Sequence, residues 1–69
     1  MRKLSKQSVF DIVTDAISES IRQGGLPCVA HLAGNDVTEV LETVADQWFW
    51  DGNTVSGEFE GDWFCIVIA

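Results

Sequence analysis

A chain of 69 residues has room for one domain around one core. With 46% hydrophobic residues, three Trp, four Phe and a single Pro, it has the makings of a packed core and not of a disordered segment. Its formal net charge of −7 disfavours a role in binding nucleic acid or anionic membranes.

Arg2 and Lys3 open the chain, but no continuous apolar stretch follows, so no secretory signal is expected. No run approaches the ~20 apolar residues of a membrane span. Ser5 is suited to cap a helix, with Leu4 packing on Val9 as a hydrophobic staple. Val9, Phe10, Val13, Ala16, Ile17 and Ile21 then keep helical spacing. The spacing predicts a helix from Ser5 to Gln23, stopped by Gly24-Gly25. Cys28 to Leu32 reads as a short apolar strand, and Gly34-Asn35 as a turn.

Asp36 and Glu39 form a capping-box-like pair ahead of Val37, Val40, Leu41, Val44, Ala45 and Trp48, which repeat at helical spacing. A second helix is expected to run to about Gln47 or Phe49, followed by a turn at Asp51-Gly52-Asn53. Thr54 to Glu60 alternates as a strand, with Val55 and Phe59 on one side. Gly61-Asp62 gives a hairpin signal, and Trp63 to Ile68 is apolar on both faces, as a central strand is. The expected fold is a single acidic α+β domain over residues 1–69 in two layers. Two amphipathic helices pack on a three-stranded sheet in the order α-β-α-β-β, ending in an antiparallel hairpin.

Charge distribution carries the functional reading. From Gln7 to Ala69 eleven acidic residues stand against Arg22 alone. Asp11, Asp15 and Glu19 lie at i, i+4 and i+8 on the first helix, away from its apolar stripe. Asp36, Glu39, Glu42 and Asp46 follow a similar spacing on the second. Such neighbours sit ~5–6 Å apart and repel by roughly 0.2–0.5 kcal/mol per pair. A solvated face that keeps a small protein soluble accounts for them. So does an acidic surface matched to a basic groove, with a charge density like that of a nucleic-acid backbone.

Trp48-Phe49-Trp50 places three rings in a row, and a helix cannot turn all three to one core. Either they pack at the helix end or one of them, with Trp50 the candidate, anchors an interface. The apolar C-terminal strand is a central strand, or else an edge completed by a second copy or a partner. Catalysis finds little support. His31 is the only histidine, and Cys28-x-x-His31 with the distant Cys65 lacks a second metal-ligand pair. No nucleophile elbow or glycine-rich phosphate loop occurs, and no cofactor is expected. Both cysteines lie in apolar runs, where the reduced thiol is the common state, so a cytoplasmic location is expected.

In size and charge the chain resembles the small inhibitors that phages and mobile elements direct against host defence complexes, such as anti-CRISPR and anti-restriction proteins. That resemblance covers no specific residues. The expectation is a non-enzymatic protein that binds a basic surface on a larger protein or nucleoprotein complex. Asp11, Asp15, Glu19, Glu39, Glu42, Asp46 and Trp50 are the candidate contacts. The alternative is a small structural or regulatory homodimer assembled through the C-terminal strand.

Overall fold

The computed structural model describes residues 5–69. Its elements are α1 (Lys6–Arg22), β1 (Cys28–Ala30), α2 (Gly34–Val44), β2 (Gln47–Asp51), β3 (Thr54–Phe59) and β4 (Asp62–Ile68). The strands form one mixed sheet in the order β1-β4-β3-β2, with β1 parallel to β4 and β2, β3 and β4 an antiparallel meander. Both helices pack into one core with the inner face of the sheet. The α+β class and the closing hairpin agree with expectation. The sheet has four strands and not three, and the element order is α-β-α-β-β-β.

The first helix forms as its sequence predicts. Ser5 holds an extended backbone, and its Oγ accepts the Ser8 N–H at 3.1 Å. Leu4, the other half of the expected staple, lies outside the described residues. Val9, Val13, Ala16, Ile17 and Ser20 turn inward. Gly24 and Gly25 then take φ of +83° and +94°, a region open to glycine at no steric cost, and the helix stops.

The second helix differs at both ends. It begins at Gly34, so Gly34-Asn35 is its first turn and not a separate reversal. Its N-cap is Ala33, whose side chain caps nothing, and Asp36 sits inside the first turn, where a carboxylate suits the positive end of the helix dipole. It ends at Val44, and Ala45 is already extended, with φ −87° and ψ 145°. The expected continuation to Gln47 or Phe49 gives way to β2, because three consecutive aromatic residues favour a pleated strand and β3 offers them a partner. Trp48 fits a helical repeat and a strand alternation equally well, and pairing decides between them.

The turns follow from local chemistry. Gly52, with φ +64°, occupies the first position of the two-residue loop between Asp51 and Thr54. The β3–β4 loop is Glu60-Gly61, with both residues at positive φ, so the hairpin signal at Gly61-Asp62 is displaced by one position and Asp62 opens β4 opposite Phe59. β1 is also shorter than expected, ending at Ala30 and not at Leu32.

The core joins Phe64 and Ile66 of β4 and Val55 of β3 to Val13 and Ile17 of α1 and Val37 and Leu41 of α2, all but fully buried. Gly57 faces the same interior, where a Cβ would overlap the Gln47 carbonyl oxygen, so glycine lets β2 close tightly on β3. β4 is central, as its two apolar faces predict. It pairs with β1 along Ile66–Ile68 and with β3 along Asp62–Val67. A second copy therefore finds no free edge on those stretches. Among the described residues no helix is long and apolar enough to cross a membrane.

Candidate functional site

The amphipathic pattern of α1 fixes where its carboxylates point. With Val9, Val13, Ile17 and Ser20 inward, Asp11 and Asp15 are exposed and Glu19 half-exposed on the opposite side. The Gln7 amide donates to Asp11 Oδ1 at 3.0 Å, and the Gln23 amide to Glu19 Oε1 at 3.0 Å. Arg22 meets Glu19 at 3.1 Å, in the one ion pair among the described residues. That pair is solvated and contributes little to stability, but it neutralises one end of the row. Among the described residues no cation forms an ion pair with Asp11 or Asp15.

On α2, Glu39 and Glu42 are exposed on the side away from Val37, Val40 and Leu41. Asp36 is half-buried at the flank of that face. Asp46 does not belong to the row: the helix has ended, and Asp46 is an exposed residue leading into β2, its N–H donating to the Glu58 carbonyl. The structure thus brings five of the six candidate carboxylates onto the outward faces of two helices that share one layer, and sets the sixth apart.

Trp50 is not an exposed anchor. It stands opposite Val55 on the inner side of the sheet, half-buried, and its indole N–H donates to Thr38 Oγ1 at 3.1 Å. Thr38 in turn donates to the Gly34 carbonyl, so the ring ties β2 to the first turns of α2. The exposed aromatic residue of the triplet is Phe49, whose ring lies 6.0 Å from that of Trp63 on the outer face of the sheet. Neither is among the candidate contacts read from the sequence. For Phe49 the signal is the Asp51-Gly52 hairpin dipeptide: read backward from it, strand alternation turns Trp48 and Trp50 one way and Phe49 the other.

A shallow cleft of about 340 Å³ lies between the start of α2 and the β2–β3 loop, floored by Trp50 and Ile68. Gly34, Asn35, Thr38, Gly52 and Asn53 complete its lining, so it holds no titratable side chain for acid–base chemistry. Cys28 shares the inner side of the sheet with Ile66, whereas Cys65 faces outward beside Ser56, so the two thiols do not converge. Among the described residues no three His, Cys, Asp or Glu side chains gather in metal-binding geometry. Comparison of the chain with protein-family models, curated proteins and solved structures finds no match.

Proposed function

We propose that the protein acts by binding and not by catalysis, its helical layer docking onto a basic surface of a larger protein or nucleoprotein complex and blocking it. The observation that carries this reading is the outward display of Asp11, Asp15, Glu39 and Glu42 in a fold whose residues from Gln23 to Ala69 include no Lys or Arg. Repulsion along each helix is unfavourable for the free protein and is relieved when cations dock. Charges placed this way accelerate encounter and select the partner more than they set final affinity. A nucleic-acid-binding channel is the kind of basic site that matches them, in the manner of small phage-encoded inhibitors of host defence. A cytoplasmic setting suits the two free thiols, Cys28 and Cys65.

Charge reversal tests the proposal one helix at a time. Asp11→Lys with Asp15→Lys, and separately Glu39→Lys with Glu42→Lys, are compared with the parent protein in association kinetics against a target captured from lysate at low ionic strength. The contacting helix should lose about tenfold or more in association rate, with the loss shrinking as salt is added. Nucleic acid should compete with the parent protein for the target. Unchanged rates for both double variants would remove the helical layer from the interface.

A further inference from the structure

One side of the sheet carries no helix. Strand alternation puts Val29, Phe49, Trp63, Cys65 and Val67 there, opposite the core. Val29 and Phe49 are each 56% exposed and Trp63 48%. The two aromatic residues form one feature. Phe49 on edge strand β2 and Trp63 on central strand β4 reach across β3, with ring planes inclined at 46°. Large exposed apolar groups gathered in this way mark interaction surfaces, whereas single ones need no explanation.

The charge beside the rings identifies what fits there. Glu58 of β3 stands in register with Trp63 on one side and Gln47 on the other. The Gln47 amide donates to Glu58 Oε1. No Lys or Arg occurs on any strand, and Asp51, Glu60 and Asp62 add negative charge at the ends of the same strands. Aromatic rings next to a carboxylate suit a planar cation, which stacks on the former while donating to the latter. Phosphate-bearing ligands and anionic lipid are repelled by the same carboxylates. A second copy brings an identical set of anions.

We infer that the open sheet face docks an arginine-bearing, otherwise apolar surface of a partner protein, with a guanidinium over the Phe49–Trp63 pair and against Glu58. This face lies on the opposite side of the domain from the helical carboxylates and uses none of them. The inference does not rest on the function proposed above.

An NMR titration tests it, with the peptide acetyl-Val-Arg-Val-Arg-Val-amide and its Lys and Glu counterparts as probes. The Arg peptide should shift the ring resonances of Phe49 and Trp63 and the methyl groups of Val29, and bind at least about fivefold tighter than the Lys peptide. The Glu peptide should leave them unmoved. Phe49→Ser and Trp63→Ser should each weaken the response about tenfold, and Glu58→Gln by severalfold. Thermal unfolding establishes that each variant is folded, and because all three positions are surface sites, loss of one variant leaves the other two informative.

The inference is overturned if the Lys peptide binds equally, or if no shift appears below about 1 mM peptide. It is also overturned if the shifts fall on α1 and α2 while the rings stay still. Ring shifts that grow with protein concentration alone would assign the face to a second copy. A stronger response to a single-stranded oligonucleotide would assign it to nucleic acid. Glu39→Lys with Glu42→Lys should leave the peptide response intact, so this inference and the electrostatic function fail by different results.

Discussion

Ser20 shows how one side chain holds three segments together. It is fully buried, and its Oγ donates to the Leu26 carbonyl at 2.7 Å while accepting the Cys65 N–H at 2.9 Å. β1 pairs with β4 only from Ile66 onward, so the Cys65 N–H has no strand partner on that side and the helix supplies one. Ser20→Ala removes both hydrogen bonds and leaves the Cys65 N–H and the Leu26 carbonyl without this partner, a loss of about 1–3 kcal/mol for the two together. Urea denaturation should show a lower midpoint at unchanged slope, and a midpoint equal to the parent's would mean that water replaces the hydroxyl. Nothing in the sequence around Ser20 announces this role, because one of its partners lies 45 positions away. The exposed candidates were different: Asp11, Asp15, Glu39 and Glu42 were placed correctly from helical spacing alone, since charge rarely faces a core.

Among the elements, the extent of α1 is legible, because cap, periodicity and glycine stop agree with one another, although Phe10 of its apolar repeat is exposed and Ser20 is buried in its place. β2 is not legible. Val37 to Trp48 keeps a helical repeat, and only the pairing of Gln47–Asp51 with β3 breaks it, a long-range preference that no local pattern reveals. With β2 read as helix, Trp50 stands as the exposed ring of the triplet where the strand exposes Phe49, and Asp46 is counted in a row it does not join. The β3–β4 loop carries a second mismatch between residue and backbone. Glu60 sits at φ 51°, a region that Asn and Gly occupy far more readily in two-residue hairpin loops. Glu60→Asn should therefore stabilise the protein by about 0.5–1 kcal/mol in chemical denaturation. A destabilised variant would show that the Glu60 side chain contributes more than its backbone costs.

Taken whole, the domain is two-sided: carboxylates coat the helical layer and aromatic rings mark the bare sheet. Asp11–Asp15, Asp36–Glu39 and Glu39–Glu42 are like-charged neighbours on their helices, each costing roughly 0.2–0.5 kcal/mol at low ionic strength. Sodium chloride at about 0.5 M shortens the range of these repulsions to a few ångströms, and the thermal midpoint should rise by about 5 °C. A midpoint indifferent to salt would mean that the helical charges do not strain the free protein, removing the energetic reason for a cationic partner.

The parallel junction between β1 and β4 also has a kinetic meaning. Its paired residues, Cys28 with Ile66 through Ala30 with Ile68, are separated by more than half the chain, whereas the meander joins strands through two-residue loops. Loop closure grows costlier with separation, so the hairpins are expected to assemble early and β1 to dock as the closing event. Until it docks, one edge of Ile66–Ile68 stays open, and the rate of folding is expected to depend on how quickly a three-residue strand is recruited to that edge of the sheet.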